Sequence, residues 1–449
     1  MSYENPLFLC LDCGGSKAAA VLVDKAGNVV GRGSGGPSNF ISVGMNAFLR
    51  SVKTAVESAL EDAIGSKTTL PLSSPIISAA WFGISGCDKP ADAIALQAPL
   101  SKLLATVPRL LITNDSHLLA SPLNSHSEAK SAIVVIGGTG SNCVSFKKKE
   151  GQIGLEELSR SGGWGWILGD EGSGFSVGRT AVRYVLTQWD RASLYTSSEE
   201  PSHDILNELH PETNKPTLRA RIFDHFGISS PPDLFTVVYA ADPPPVHITR
   251  DESANAPPSS PGPVTIDGST TPSATVDATV ADGGTESSTL SAPTPNDTRS
   301  TLVKPATPTP NANIYLLERK HRLTSLTPLV FSSAFDDGDP DSLRVLRMCA
   351  RTLAEHINNL MVAPDGSTAS GPRAVRPEET VLCFGGSLVG IQKYRGLVVD
   401  ELGRLRRGLG VGSGEAEDKE EGGGVVAGVV FVEDAAMDGA MGLASEFAP

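Results

Sequence analysis

The stretch Asp12-Cys13-Gly14-Gly15-Ser16-Lys17 combines residue types that suit the binding of a phosphate group. It follows the apolar run 7–11, which is typical of a buried strand, and a second apolar run, 18–23, comes directly after it. Glycines let backbone N–H groups approach an anion closely, and the Ser16 hydroxyl can donate to a phosphate oxygen. Asp12 can hold Mg²⁺ through water, because Mg²⁺ prefers oxygen ligands and keeps much of its hydration. The alternative for this motif by itself is an ordinary glycine-rich hairpin.

A second glycine turn, at 137–142, reads Gly-Gly-Thr-Gly-Ser-Asn and again joins two strand-like runs. Two such turns facing each other across a cleft would hold the β- and γ-phosphates of a nucleotide from both sides. The chain has no G-x-x-x-x-G-K-[ST] pattern and no G-x-G-x-x-G that opens a helix after a strand. The P-loop and dinucleotide-binding classes are therefore excluded. For this turn alone, the alternative is again a hairpin.

A third glycine-rich segment, 162–174, carries two tryptophans and two acidic residues. Exposed backbone N–H groups together with Asp170 suit a polyhydroxylated ligand, and a tryptophan supplies a flat apolar wall. The alternative places Trp164 and Trp166 in the core and makes Asp170 the cap of a helix that begins near Ser173. We favour the core for Trp166 and ligand binding for Asp170.

Asp115 follows a predicted strand, 109–113, and precedes a helical run, 116–119. The carboxyl ends of strands carry the ligands of α/β sheets, and a carboxylate there can accept a proton from an attacking hydroxyl. The alternative is that Asp115 caps the helix. We expect the neighbouring His117 to pack against another side chain.

The elements that would hold these motifs follow an α/β order. Three strands open the chain, and a strand pair recurs around the second glycine turn, which predicts two related lobes with a cleft between them. We expect the first lobe to hold residues 1–125, with 434–449 returning to it, and the second to hold 126–433. The clearest helical periodicities are 43–64, 91–104 and 343–360, and later strand-like runs are 381–384 and 425–432.

The stretch from 241 to 312 differs in composition from the rest of the chain. Pro, Ser, Thr, Ala, Asp and Gly dominate it. Such a segment buries too little apolar area to offset its chain entropy, so we expect a long disordered insertion outside the catalytic fold. It is either a surface loop without function or a phosphorylated regulatory tether.

The chain has 449 residues and a net charge of −14, and its six cysteines lie mostly in apolar runs. Backbone phosphates repel such a protein, so no nucleic-acid partner is expected. Cys10 and Cys13 have the spacing of a redox or metal motif, but three residues apart on a strand they point to opposite faces. Reduced, buried thiols, the absence of a charged apolar leader and the lack of long apolar runs predict a cytoplasmic protein that does not enter a membrane.

Together, these motifs resemble those of the eukaryotic N-acetylglucosamine kinases, in the BadF/BadG/BcrA/BcrD family of the actin–hexokinase–Hsp70 superfamily. The stretch 12–17 is similar to the family's first phosphate motif, with Ser16 where threonine is commoner, and 138–143 is similar to the second. The glycines, Trp164 and Asp170 between 162 and 173 resemble the sugar-site signature.

Three shorter matches extend the resemblance. Thr113-Asn114-Asp115 lies where the family keeps its catalytic aspartate, and Ser38-Asn39 is similar to a segment whose asparagine touches the sugar. Cys383-Phe384-Gly385-Gly386-Ser387 resembles the adenosine-side motif with an extra glycine. The insertion and the stretch 390–424 depart from the family pattern.

The resemblance implies two ribonuclease-H-like lobes around a nucleotide cleft, with ATP and Mg²⁺ as cofactors and an amino sugar as substrate. It implies transfer of a phosphoryl group from ATP to the 6-hydroxyl of N-acetylglucosamine, with Asp115 as general base. It is compatible with a homodimer, although the sequence does not fix the oligomeric state. The implied ATP-binding residues are Asp12, Gly14, Gly15, Ser16, Lys17, Thr139, Gly385 and Gly386, with Asp12 holding Mg²⁺ through water. The implied sugar-binding residues are Asn39, Asp115, Ser141, Asn142, Gly163, Trp164, Gly165 and Asp170.

Three other functions stay open at this point. The substrate is alternatively glucosamine or N-acetylmannosamine, since residue spacing does not reveal what surrounds the sugar's C2 group. The family also contains ATPase activators of dehydratases, whose iron–sulfur cluster is held by cysteines between two subunits. The last alternative is a non-catalytic sugar-sensing or scaffold protein, in which the insertion binds the partner.

Overall fold

The computed structural model describes residues 6–105, 107, 109–149, 154–194, 214–244, 312–363, 371–408 and 425–447. They contain two mixed sheets of five strands each, with helices packed against them. Both sheets belong to one compact unit of the chain. The predicted insertion falls mainly on 245–311, which lies outside the described residues.

The first sheet has the strand order β3-β2-β1-β4-β5. β2 is antiparallel to both of its neighbours, β1 and β3, whereas β4 is parallel to β1 and β5 is parallel to β4. The strands are β1 (Leu7–Cys13), β2 (Ala18–Val23), β3 (Val29–Gly35), β4 (Ile77–Ile84) and β5 (Arg109–Thr113), and the helices between and after them are α1 (Phe40–Ile64), α2 (Pro90–Leu103) and α3 (Ser116–Leu119).

The second sheet repeats this order as β8-β7-β6-β9-β10, again with three antiparallel strands followed by two parallel ones. Its strands are β6 (Ser131–Gly137), β7 (Ser141–Lys148), β8 (Leu155–Gly162), β9 (Thr380–Gly385) and β10 (Gly428–Phe431). The remaining helices are α4 (Gly165–Leu168), α5 (Gly174–Ser193), α6 (Leu218–Phe226), α7 (Asp233–Tyr239), α8 (Arg319–Thr324), α9 (Thr327–Phe335), α10 (Pro340–Asn358), α11 (Gln392–Arg406) and α12 (Ala435–Phe447). The predicted fold class, two ribonuclease-H-like α/β lobes, is confirmed.

The two faces of the first sheet are covered by different helices. On one face, α1 lies in direct contact with β3, because Gly31, Gly33 and Gly35 have no side chain there. A Cβ atom at any of these three glycines would lie only 2.0–2.2 Å from a carbonyl oxygen of α1. On the other face, α12 packs against β1 and β2. As predicted, Cys10 and Cys13 point to opposite faces, Cys10 toward α12 and Cys13 toward α1.

All six cysteines are buried and none forms a disulfide. Among the described residues, no helix is both long and apolar enough to cross a membrane.

Candidate active site

A cavity of about 630 Å³ is lined by residues from both sheets. The first sheet and its loops contribute Asn39, Ser85 and Asp115, and the second contributes Asn142 and Arg160. Three of the predicted sugar-binding residues, Asn39, Asp115 and Asn142, therefore line one cavity, although they lie far apart in the sequence.

Asp115 comes two residues after β5 and its backbone is already helical. Its carboxylate does not cap α3. The neighbouring Asn114 does so instead, since its Oδ1 accepts a hydrogen bond from the N–H of Ser116 at 3.0 Å. The Nδ2 of Asn114 donates to Asp88 Oδ1 at 2.8 Å. Capping of α3 is therefore not the main role of the Asp115 carboxylate.

Burial raises the pKa of Asp115, and the negative charge of Asp88 adds to this effect. The N–H of Ser116 and the hydroxyl of Ser85 lower the pKa, but by less than burial raises it. Ser85 also accepts a hydrogen bond from Asn39 Nδ2 at 2.9 Å. A carboxylate with a raised pKa binds a proton more tightly, which suits a general base.

Ser85 was not predicted from the sequence. It lies one residue beyond β4, so its position at the carboxyl end of a strand is the signal that would have found it. Both polar atoms of the Asn39 amide are engaged. Its Nδ2 donates to Ser85, and its Oδ1 caps α1 by accepting from the N–H of Ser42 at 3.0 Å.

Asp12 lies at the same edge of the sheet as Asp115. It is opposite Gly83 of β4, and Gly83 is opposite Thr113 of β5. The pKa of Asp12 is raised to about 6, chiefly by burial and then by the charges of Asp115 and Asp434, while Lys17 lowers it. The three carboxylates therefore act on one another in this part of the fold.

The first glycine turn is fixed at its base and open at its tip. The N–H of Gly14 donates to the carbonyl of Lys17 at 3.0 Å, and the carbonyl of Gly14 accepts from the N–H of Ser38 at 3.0 Å. Gly15 and Ser16 are exposed, and a Cβ atom at Gly15 would meet no heavy atom within 4 Å. The turn thus leaves room for a phosphate next to backbone N–H groups.

Among the described residues, no three His, Cys, Asp or Glu side chains converge to hold a metal ion directly. Asp12 is nevertheless a partly buried carboxylate close to two others, with Lys17 as the cation that lowers its pKa. Such a donor set fits Mg²⁺ that keeps its water, as the sequence predicts for Asp12.

The second glycine turn is joined to the Gly385-Gly386 motif. The carbonyl of Gly137 accepts from the N–H of Leu388 at 2.9 Å. Gly386 has φ +106°, and a Cβ atom there would lie 2.7 Å from the carbonyl oxygen of Gly137. The predicted ATP-binding residues Thr139, Gly385 and Gly386 therefore lie in adjoining loops at the ends of β6 and β9.

Asp170 supports the second glycine turn and does not line the cavity that contains Asp115. It is buried, and its Oδ1 accepts from the N–H of Ser141 at 3.2 Å. Its Oδ2 forms an ion pair with Lys320 Nζ at 3.2 Å. A Cβ atom at Gly140 would lie 2.7 Å from Asp170 Oδ1, so only glycine allows this approach. Lys320 was not predicted from the sequence.

Gly163 and Asn142 lie against each other. A Cβ atom at Gly163 would be 2.8 Å from Asn142 Oδ1, and this oxygen is buried with no hydrogen-bond partner among the described residues. Asn142 lines the cavity, and its Oδ1 is a buried acceptor that no described residue uses.

The two tryptophans have different surroundings. Trp164 is 61% exposed and its ring stands edge-on to His356, with centroids 5.6 Å apart. Trp166 packs on Phe175 as part of the core of the second lobe, as predicted. Gly165, beside them, has open space where a side chain would be.

His117 packs as predicted. Its ring stands edge-on to Phe146, with centroids 4.8 Å apart, and burial lowers its pKa to about 4. It is therefore neutral at physiological pH.

The repeated strand order defines a two-lobed α/β protein of the ribonuclease-H-like class, and each lobe carries one of the two glycine turns. The model of the BadF/BadG/BcrA/BcrD ATPase family matches residues 9–395. The chain therefore belongs to this family.

Two relatives are each 30% identical to this chain. The N-acetyl-D-glucosamine kinase of Dictyostelium discoideum aligns over 195 residues, 43% of this chain, and the N-acetylmuramic acid/N-acetylglucosamine kinase of Clostridium acetobutylicum over 196 residues, 44% of this chain. In both cases the chain spans 58% of the relative's length. A solved ROK family glucokinase from Streptomyces griseus aligns with 98% of this chain and 99% of its own, at 15% identity and a TM-score of 0.39.

Proposed function

We propose that this protein is an ATP-dependent sugar kinase that phosphorylates N-acetylglucosamine at its 6-hydroxyl. Membership of the ATPase family and the named activities of the two relatives support a sugar kinase. The observation that carries the proposal is the position of Asp115, a partly buried carboxylate of raised pKa that lines a cavity formed by both lobes. The cavity of about 630 Å³ lies within the usual range for a small-molecule site.

Asp115 acts as the general base in this mechanism. It accepts the proton of the sugar's 6-hydroxyl as that oxygen attacks phosphorus, and the Ser85 hydroxyl orients the carboxylate. Asn39 holds Ser85 in turn. The free Oδ1 of Asn142 accepts a hydrogen bond from the sugar on the opposite wall. Gly163, Trp164 and Gly165 complete the sugar site beside Asn142.

When bound, ATP would supply the phosphoryl group, and its Mg²⁺ would neutralise negative charge on the phosphates. The backbone of Gly14, Gly15 and Ser16, with the hydroxyl of Ser16, would bind phosphate oxygens from one side, and Thr139 from the other. Lys17 adds a positive charge, and Asp12 would hold the cation through water. Asp170 and Ser141 act on this site by fixing the shape of the second glycine turn. The loop containing Gly385 and Gly386 adjoins that turn and would face the adenosine.

The burial of all six cysteines argues against the activator alternative. A cluster shared between two subunits needs cysteine thiolates at the surface of each subunit. Another hexosamine, either glucosamine or N-acetylmannosamine, remains the main alternative substrate, because the same base and phosphate turns would serve it.

The test is ADP release measured with each of the three hexosamines and without sugar. We expect release to depend on sugar and to be fastest with N-acetylglucosamine, with phosphorus–proton coupling in the product placing the phosphate on C6. Sugar-independent release would assign an ATPase, and sugar binding by calorimetry without ADP release would assign a non-catalytic sensor. Either result would overturn the proposal.

A further inference from the structure

A second cavity, of about 460 Å³, forms a groove between α5 and α10 and shares no lining residue with the cavity of Asp115. Five arginines line it, although the chain as a whole carries a net charge of −14. They are Arg179, Arg183 and Arg191 from α5, and Arg344 and Arg351 from α10. Glu171 and Glu355 are the acidic residues of the lining, so positive charge is in excess.

The excess lies on three exposed arginines, Arg183, Arg191 and Arg344. Their guanidinium groups form no ion pair and no hydrogen bond with any described residue, whereas Arg179 is paired with Glu171 and Arg351 with Glu355. Unpaired like charges along two adjoining helices repel one another, so an anion between them would stabilise the arrangement.

Arg179 is held in a fixed orientation at the inner end of the groove. Its Nη2 lies 2.9 and 2.7 Å from the two carboxylate oxygens of Glu171, and its guanidinium lies 5.4 Å from the ring of Phe175. Its Nε is buried and has no hydrogen-bond partner among the described residues. A buried donor without a partner is unfavourable, so a ligand atom that accepted a hydrogen bond from it would be favoured.

The rest of the lining suits a small phosphorylated molecule. Thr180, Thr187 and Thr352 line the groove together with the arginines, and Met348 offers an apolar surface. The nearby acid Asp341 is already engaged by the hydroxyl of Tyr184 at 2.6 Å and by Gln188 at 3.3 Å. Arginine forks match phosphate oxygens in geometry, and a groove of this volume holds a metabolite rather than a polymer.

We propose that the groove between α5 and α10 binds a small molecule that carries phosphate groups. The site is separate from the nucleotide turns but linked to them through Glu171. The carboxylate of Glu171 pairs with Arg179, and its carbonyl accepts from Ser141 Oγ at 2.6 Å. A phosphate that binds Arg179 therefore competes with the carboxylate of Glu171, the residue whose carbonyl supports the second glycine turn.

Calorimetric titration of the full chain with inorganic pyrophosphate tests the proposal. The informative variant is Thr187→Glu, which adds a negative charge to the groove from an exposed helical position. Thr54→Glu on α1 is its matched control, because each threonine is exposed and its hydroxyl donates to the carbonyl four residues earlier. We expect Thr187→Glu to weaken groove binding at least tenfold and Thr54→Glu to leave it unchanged. Pyrophosphate also binds at the nucleotide turns, and this binding should persist in wild type, Thr187→Glu and Thr54→Glu. Binding in the groove is therefore the component that is lost in Thr187→Glu and kept in the other two proteins.

A second variant, Arg183→Gln with Arg344→Gln, removes the exposed charges and should give the same loss. Citrate should bind the wild-type groove at least tenfold more weakly than pyrophosphate, because the groove is matched to phosphate. Equal pyrophosphate binding by wild type, Thr187→Glu and Thr54→Glu would overturn the proposal. So would a dimer, seen by sedimentation, that Thr187→Glu dissociates while pyrophosphate binding is unaffected, since a second copy of the chain would then cover the groove.

Discussion

The negative charge of Asp115 is, after burial, the largest cause of the raised pKa of Asp12. The two residues lie on opposite sides of β4, at the edge of the first sheet where β1 and β5 both end. Holding two carboxylates at this edge costs free energy in the protein without ligands. A bound cation would remove that cost, so the same arrangement that binds Mg²⁺ destabilises the empty site.

The first prediction follows from this pair and concerns stability. The pKa of Asp12 is about 6 in the folded protein, against 3.8 for an unperturbed aspartate. Because the folded-state pKa is raised, ionisation of Asp12 costs stability as the pH rises from 3.8 to about 6. Asp12→Asn should therefore raise the free energy of unfolding by up to about 3 kcal/mol at pH 7.5. The gain should shrink as the pH falls through 6 and vanish near 4.

Thermal unfolding between pH 4 and 7.5 measures this effect. Glu61→Gln, at an exposed position of α1, is the control and should change the melting temperature little at any pH. A gain for Asp12→Asn that is the same at all pH values would show that its charge is not the cause.

The second prediction separates catalysis from binding at Asp115. Asp115→Asn keeps the size of the side chain but cannot take up a proton, and loss of a general base costs about 10²–10⁴ in rate. We expect kcat to fall by that factor, while sugar affinity measured by calorimetry changes no more than a few-fold. Asp88→Asn is the matched control on the same cavity wall, since its amide oxygen can still accept from Asn114. Near-normal turnover by a folded Asp115→Asn protein would remove Asp115 from the mechanism.

Much of the fold could be predicted because its inner strands are apolar runs that end at glycine turns. The predicted strand 109–113 coincides with β5, and the predicted helix 343–360 corresponds to α10. β8 was missed because its sequence, Leu-Glu-Glu-Leu-Ser-Arg-Ser-Gly, contains no apolar run. It is an edge strand held by its pairing with β7, and that pairing leaves no signal in the sequence of β8 itself.

The site could be predicted where its residues follow one another in the chain, as they do in the two glycine turns. It could not be predicted where the fold supplies a partner from elsewhere. Lys320 pairs with Asp170 across 150 positions, and a single lysine in a helix carries no local sign of that contact. The cap of α3 was uncertain for a similar reason, because Asn114 and Asp115 are both good capping residues.

The third prediction concerns Asp170. The carboxylate of Asp170 accepts a hydrogen bond from the N–H of Ser141 in the second glycine turn. Asp170→Asn should therefore weaken the binding of both ATP and the sugar. We expect KM to rise about tenfold for ATP and for sugar together, which corresponds to about 1.4 kcal/mol for a weakened charged hydrogen bond. Thr139→Val removes only a hydroxyl and should raise KM for ATP more than for sugar. If Asp170→Asn raises KM for the sugar alone, Asp170 contacts the sugar directly.

The last prediction concerns the residues that flank 245–311 on either side. The guanidinium of Arg322 is fully buried and donates to the carbonyls of Ala240 and Ala241, each at 2.6 Å, and of Ile314 at 3.2 Å. It thus holds the residues before and after the insertion together. Arg322→Met would remove the donor from these carbonyls, and a buried acceptor left without a partner costs about 1–3 kcal/mol. We expect the free energy of unfolding to fall by about 3 kcal/mol or more.

Arg319→Met is the control, because Arg319 pairs with Asp242 at an exposed site where solvent screens an ion pair and it adds little stability. Replacing 245–311 by a short Gly-Ser linker should leave the melting temperature nearly unchanged. The rate of sugar-dependent ADP release should stay within a few-fold of that of the full chain. The reason is that Arg322 closes the loop whatever its length, and loop length itself adds little cost. Arg322→Met should be as harmful in the shortened protein as in the full one. A shortened protein that folds but has lost its activity would show instead that the insertion takes part in the reaction.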